Sequence, residues 1–351
     1  MPRGNFFEDF HIGQQFEHPL PRTVTDADAS LYVALTGTRN PLMSSSPLAA
    51  SLGHPARPLD DLLVFNLAFG KTVADISLNA VANLGYADVR FLMPVYGGDT
   101  IAARSCVIGL RETSGGDSGV VYVRSEAVNQ HGQPVLTWVR WVLVRKKMAD
   151  NGPGTDVRPD LPAIVTADRL TVTTGSVSHD ALSRATGSHA SWEDYTPGQR
   201  IDHASGMTVE ESDHMSATRL YQNDAQVHFD GLMMRATRHK RRLVYGGHVM
   251  SICRALACDG LENVLAILAI NGGTHVAPTF AGDTLYSVTQ VIDAQPLPGR
   301  ADAAVLRLRL IGLRDLPPSE FQWDGAAETL RSHPHVVLDL DHSVLIPRRA
   351  A

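Results

Sequence analysis

The sequence predicts an α+β protein made of two tandem repeats, each with one buried helix followed by antiparallel strands. Two observations predict it: the chain contains a long internal duplication, and each copy holds a helix-length apolar segment followed by runs rich in β-branched and aromatic residues. With 351 residues, the chain also has the length of two ordinary domains.

The duplication is visible in residues 7–18, Phe-Glu-Asp-Phe-His-Ile-Gly-Gln-Gln-Phe-Glu-His, which recur 185 positions later as Trp-Glu-Asp-Tyr-Thr-Pro-Gly-Gln-Arg-Ile-Asp-His. Further landmarks recur in the same order, including a Gly-Asp-Thr at 98–100 and again at 282–284. A solenoid unit has only about 20–50 residues. Each copy is therefore predicted to be a domain, residues 1–148 and 164–351, joined by a Pro- and Gly-rich linker at 149–163.

In the first copy, a helix is predicted over residues 26–35, capped by Thr25 or Asp26 and ended by Gly37. Residues 40–58 contain so many Pro, Gly and Ser that they predict a loop. An apolar helix follows at 60–73, and strands are predicted at 87–93, 100–110, 119–129 and 134–146.

The second copy predicts the same order of elements. Helices are predicted at 210–220 and 247–257 on either side of a loop at 221–242, and strands at 265–270, 284–293, 303–313 and 336–347. Insertions near 296–299 and 317–327 lengthen its hairpins.

Composition excludes several classes of function. The net charge of −6 gives no broad basic surface for nucleic acid. Three cysteines without a Cys-x-x-Cys pair predict a reduced, cytoplasmic protein, and neither a signal peptide nor a membrane span is expected. No spaced His, Cys and Asp cluster suggests a metal site.

The loop of the first copy reads Thr36-Gly37-Thr38-Arg39-Asn40-Pro41-Leu42-Met43. It resembles the MaoC-like enoyl-CoA hydratases, whose loop reads Gly-Asp-x-Asn-Pro-(Leu/Ile/Val)-His, and the resemblance implies a double hotdog fold in which a sheet wraps each central helix. Thr38 replaces the family's Asp and Met43 its His. The first copy is therefore expected to be catalytically inactive.

In the second copy, His228 occupies the repeat position of Met43 and so matches the family's catalytic His. The position of the acid is open, because counting back from His228 reaches Asn223, whereas Asp224 lies one residue later. Either Asn223 holds the water while His228 alone handles the proton, or the loop bulges and Asp224 takes the acid's place; a contribution from both is favoured.

Val244-Tyr245-Gly246-Gly247-His248 resembles the family's entry to the hotdog helix, where a glycine amide binds the thioester oxygen. Free N–H groups at a helix start suit a developing enolate. Gly247, or less favourably Gly246, is expected to supply that amide. The first copy has Asp60 and Asp61 at this place, which would repel an enolate.

Longer runs resemble the mesaconyl-CoA hydratases, especially residues 60–65, 69–73, 75–86, 121–125 and 139–142. The resemblance implies a hydro-lyase that interconverts mesaconyl-CoA and β-methylmalyl-CoA. It also implies a homodimer or higher homo-oligomer, with CoA as part of the substrate and no separate cofactor or metal.

The distal carboxylate of mesaconyl-CoA requires a cation, for which Arg39 and Arg219 are candidates. The basic run at 235–242 predicts phosphate binding by Arg238 and Arg241, although such a run is also typical of a solvated surface. Two alternatives to the function stay open: a broad (R)-specific enoyl-CoA hydratase, and an inert acyl-CoA-binding protein.

Overall fold

The computed structural model describes residues 4–148 and 154–349, so the first part of the predicted linker lies outside the described residues. The helices are α1 Asp26–Thr36, α2 Pro41–Ser44, α3 Ser46–Ser51, α4 Asp61–Lys71, α5 His179–Thr186, α6 Glu211–Leu220, α7 Gly231–Arg235, α8 Gly246–Leu256 and α9 Ala327–Ser332. The strands are β1 Gln15–Glu17, β2 Arg22–Thr23, β3 Ala80–Phe91, β4 Thr100–Glu112, β5 Ser118–Val128, β6 Pro134–Arg145, β7 Asp156–Val157, β8 Arg200–Thr208, β9 Ala266–His275, β10 Thr284–Pro296, β11 Ala303–Arg314 and β12 Val336–Pro347.

One antiparallel sheet runs through both repeats. Its strand order is β1-β4-β5-β6-β3-β9-β12-β11-β10-β8, with β2 and β7 paired to β4. The repeats meet where β3 pairs with β9, in a register that places Tyr86 opposite Gly273. The predicted α+β double hotdog is confirmed, and the two repeats form one continuous sheet rather than two separate ones.

The two long central helices, α4 and α8, contact each other inside this sheet. Every residue of α4 from Leu62 to Lys71 is buried. The Asn66 side chain donates to the Gly247 carbonyl at 3.2 Å and contacts the Ser251 hydroxyl at 3.1 Å. A single hydrophobic cluster includes residues of both helices. The apolar character of both segments therefore comes from burial on nearly all sides.

Equivalent residues of the two repeats make equivalent contacts. The buried His18 and His203 each bond through Nε2 to a hydroxyl on the neighbouring strand, Ser105 at 2.7 Å and Thr289 at 2.8 Å. The duplication found in the sequence is thus also a duplication of side-chain packing.

The loop expected at 40–58 was partly wrong, because α2 and α3 lie within it. Asn40 accepts from the Leu42 and Met43 amides, and Ser45 accepts from the Leu48 amide, so each short helix has a side-chain cap. A proline near the start of each helix lacks only an N–H that would have had no helical partner. The same residues that suggested a loop therefore begin two helices.

Several strands are longer than predicted, β3 and β9 by the largest extensions. β3 begins at Ala80 rather than at residue 87, through a partly exposed stretch that has no apolar alternation. β9 continues to His275 through Asn271-Gly272-Gly273. A Cβ at Gly273 would meet the Tyr86 ring at 3.0 Å, so glycine makes room for that ring. No helix in residues 4–148 or 154–349 is long and apolar enough to cross a membrane.

Candidate active site

His228 lies at the end of a short 3-10 helix, Gln226–His228, with its ring edge-on to Tyr245 at a centroid distance of 5.5 Å. Its Nδ1 lies 3.0 Å from the Leu243 carbonyl oxygen. A carbonyl only accepts, so Nδ1 carries the proton and Nε2 is left with a free lone pair. Burial lowers the pKa of His228 to about 4. The ring is therefore neutral near pH 7 and can act as a base at Nε2.

His228 lines a cavity of about 330 Å³ between the two repeats. The second repeat contributes Asn223, His228, Tyr245, Gly246 and His275, and the first contributes Phe69, Ser77, Asn83, Tyr86 and Arg140. A volume in this range suits a small acyl group. Both repeats thus supply polar side chains to the wall of this cavity.

A helix starts beside His228, and Gly246, the less favoured of the two glycines in the sequence prediction, is the one that lines the cavity. Tyr245 is the N-cap, and α8 begins at Gly246, which lines the cavity. Gly247 is buried instead against Asn66 and Tyr245, where an added Cβ would lie 2.0 Å from the Asn66 Oδ1. Gly246 therefore gives the closer backbone approach to a substrate in the cavity.

The structure separates the two acid candidates. Asn223 is only 5% exposed and lines the His228 cavity, while its Oδ1 accepts from the Ala225 amide at 2.9 Å. Asp224 lines a neighbouring cavity of about 650 Å³, together with Lys71 and Arg219. Asn223 lines both cavities, so it lies in the wall that they share.

The structure does not bring Arg39 to His228. Arg39 forms an exposed ion pair with Asp259 at 2.7 Å and lines a space of only about 20 Å³ beside Asp60 and Asp61. Asp60 caps α4, and burial next to Asp60 raises the pKa of Asp61 to about 8. Met43, at the repeat position of His228, lines a space of about 40 Å³ with Asp61 and another of about 320 Å³ with Asp60. A thioether and carboxyl groups thus stand where the second repeat has His228 and the helix-start glycine, which agrees with an inactive first copy.

The predicted phosphate ligands lie near the cavity but do not line it together. Arg238 is exposed and contributes to the cavity wall next to His239. The Arg241 guanidinium stacks on the Phe280 ring at 3.9 Å. Both roles in phosphate binding stay predictions.

Sequence reasoning missed Arg140. It is fully buried on β6 and stacks 4.2 Å above the Phe69 ring. Trp138, Arg140 and Val142 alternate along one face of this strand, and all three are buried. A charged residue in an inward-facing series was the signal that could have identified it.

Known proteins resemble this chain over nearly its whole length. The family model described as mesaconyl-CoA hydratase matches residues 1–315. A β-methylmalyl-CoA dehydratase from Chloroflexus aurantiacus is 50% identical over 347 residues, 99% of this chain and 98% of that protein. A mesaconyl-CoA hydratase from Cereibacter sphaeroides is 47% identical over 350 residues, 98% of each chain.

Solved structures show the same fold. A crystal structure from Chloroflexus aurantiacus, described as a MaoC domain protein dehydratase, has a TM-score of 0.95 at 49% identity and covers 99% of this chain and 98% of its own. A Mycobacterium tuberculosis protein with a double hotdog fold has a TM-score of 0.74 at 25% identity, covering 97% and 98%. The chain belongs to the mesaconyl-CoA hydratase family.

Proposed function

We propose that this protein is a hydro-lyase that reversibly hydrates mesaconyl-CoA to β-methylmalyl-CoA. The observation that carries the proposal is the neutral His228, whose unprotonated Nε2 belongs to a ring lining the same cavity as the Gly246 helix start. Relatives that cover nearly the whole chain carry the names of the two directions of this reaction.

The residues of the cavity account for each step. His228 Nε2 removes a proton from a water held by Asn223, and the water oxygen bonds to the β-carbon of the substrate. The C=C electron pair moves towards the thioester, and the resulting enolate oxygen accepts from the Gly246 amide at the helix start. The His228 imidazolium then donates its proton to the α-carbon. Both additions come from one side, giving a syn hydration.

The proposal also includes features that the cavity alone does not test. Water and the CoA thioester are the only reactants, with no separate cofactor or metal. The proposal also includes a cytoplasmic location and assembly as a homodimer or higher homo-oligomer. It further includes binding of the CoA phosphates by Arg238 and Arg241.

The test is hydration of mesaconyl-CoA by the purified protein, followed by loss of the enoyl-thioester absorbance. His228→Ala should lower kcat by about 10²- to 10⁴-fold. His131→Ala, in the exposed turn between β5 and β6, is the matched control and should retain activity. Absence of turnover by the unaltered protein would favour an inert acyl-CoA-binding protein, and equal turnover of crotonyl-CoA a broad hydratase.

A further inference from the structure

Arg140 is a buried cation without a carboxylate partner. Its side chain is 0% exposed, and none of the ion pairs formed by the described residues includes it. The guanidinium donates to the Thr72 hydroxyl at 2.8 Å, to the Ser77 hydroxyl at 3.3 Å and to the Thr72 carbonyl at 3.4 Å. Its Nε has no hydrogen-bond partner. Burial of a charge without an opposite charge is costly, and an anion bound in the cavity would supply one.

A second unsatisfied polar group lies on the same face of the sheet. Tyr86 is paired with Arg140 across β3 and β6, and Asn83 with Val142, which puts Asn83, Tyr86 and Arg140 on one face. Both polar atoms of the Asn83 amide are buried without a partner. Asn83 and Arg140 line the cavity that also contains His228. The unused donors Arg140 Nε and Asn83 Nδ2 thus belong to residues in the wall of the cavity where the acyl group would bind.

The other buried cations are already partnered or lie elsewhere. Lys146 pairs with Glu112 at 2.8 Å. Lys71 donates to the Leu20 carbonyl and the Gln222 side chain, both at 2.5 Å, and lines the neighbouring cavity rather than that of His228. Arg39 and Arg219 are exposed and do not line the His228 cavity, and Arg238, which does line it, is exposed to solvent.

We propose that Arg140, assisted by Asn83, binds the distal carboxylate of the substrate and so selects 2-enoyl-CoA esters that carry one. This inference rests on the proposed function. The carboxylate is attached to the β-carbon, the atom to which water adds, so fixing it by a charged donor also fixes that carbon relative to His228. The first repeat, which lacks a catalytic His, would then supply substrate recognition to the site of the second.

The experiment compares mesaconyl-CoA with (E)-2-methylbut-2-enoyl-CoA, in which a methyl group replaces the distal carboxylate. Arg140→Gln should lower kcat/KM for mesaconyl-CoA at least about 100-fold and change it little for the methyl analogue. Arg145→Gln, an exposed residue on the same strand, is the matched control and should alter neither. Equal losses on both substrates, or no loss on mesaconyl-CoA, would overturn the inference.

A measurement on the unaltered protein keeps the inference testable even if Arg140→Gln does not fold. Succinyl-CoA and butyryl-CoA are unreactive and differ by one terminal carboxylate, and succinyl-CoA should bind at least about tenfold more tightly. In Arg140→Gln this preference should disappear. Equal binding by the unaltered protein would exclude a carboxylate site. Failure of the unaltered protein to hydrate mesaconyl-CoA, by contrast, would refute the proposed function. The binding of succinyl-CoA and butyryl-CoA could still be compared in that case.

Discussion

The Tyr86 hydroxyl and His275 Nε2 lie 3.0 Å apart and join the two repeats by a hydrogen bond inside the cavity. Burial raises the pKa of Tyr86 above its usual value and lowers the pKa of His275 to about 4, so both side chains are neutral. Tyr86 also stands beside Arg140 across β3 and β6. The contact therefore links the wall that holds Arg140 to the wall that holds Gly246 and His228.

Tyr86→Phe should lower the free energy of unfolding by about 1–3 kcal/mol, because it leaves the His275 nitrogen without its partner in a largely buried wall. Urea unfolding at neutral pH measures the change. Tyr122→Phe, whose ring stacks on Trp141 outside the cavity lining, is the matched control. Equal stability of the two variants would show that the bond contributes nothing.

The rate of hydration should stay constant down to unusually low pH. His228 acts in its neutral form, and its pKa in the folded protein is lowered to about 4, so kcat/KM should fall only as the pH drops through that value. If the base had the ordinary histidine pKa of about 6.5, kcat/KM would fall near pH 6.5 instead. The profile should be recorded with the methyl analogue as well, because the carboxylate of mesaconyl-CoA itself titrates at low pH.

The two glycines at the start of α8 should differ in what they affect. A Cβ at Gly247 would lie 2.0 Å from Asn66 Oδ1, so Gly247→Ala should lower the melting temperature strongly. At Gly246 the Cβ would meet the His275 ring, within the cavity, so Gly246→Ala should lower kcat more than it lowers stability. Gly231→Ala, which meets nothing within 4 Å, is the control. If Gly247→Ala folded well and lost kcat strongly while Gly246→Ala did not, the enolate-binding amide would belong to Gly247 rather than to Gly246.

The role of Asn223 can be separated from that of Asp224. Asn223→Asp keeps the oxygen that accepts from Ala225, so it should preserve the turn and much of the activity, whereas Asn223→Ala should lose both. Asp224→Asn should lower kcat by less than about tenfold, since Asp224 lines the neighbouring cavity. A larger loss in Asp224→Asn than in Asn223→Ala, measured by mesaconyl-CoA hydration, would make Asp224 the acid.

The sequence was informative where a pattern is repeated and less so where tertiary packing decides. The repeat position of His228 and the apolar helices could be read from spacing alone, and the structure has both helices. The position of Arg140 in the cavity wall could not be predicted from spacing, because it depends on strand pairing with Tyr86 and on a stack against the Phe69 ring. Arg39 was one candidate for binding the substrate carboxylate, yet it pairs with Asp259, distant in the chain, and does not line the His228 cavity.

The carboxyl pair of the first repeat, Asp60 and Asp61, should make the stability of the protein depend on pH through Asp61. Its pKa is raised from 3.8 to about 8, mainly by burial and then by Asp60. A raised pKa means that the stabilising contribution is present below pH 3.8 and is lost as the pH rises through about 8. The Asp61 carboxylate accepts a hydrogen bond from the Ile267 amide at 2.7 Å. In Asp61→Asn the side chain cannot ionise, but its amide oxygen can still accept this bond. This variant should exceed the unaltered protein in stability by up to about 6 kcal/mol at the alkaline end, with the difference vanishing in acid.

Unfolding by urea at several pH values measures this difference. Asp61→Ala removes both the charge and the acceptor, so it should share the flatter pH dependence and be less stable than Asp61→Asn throughout, by about 1–3 kcal/mol for the unpaired amide. A constant difference between Asp61→Asn and the unaltered protein at all pH values would mean that Asp61 titrates alike in the folded and unfolded chains. Asp61 would then be ionised near pH 7, and its negative charge, together with Met43 at the position of His228, would oppose enolate formation in the first repeat.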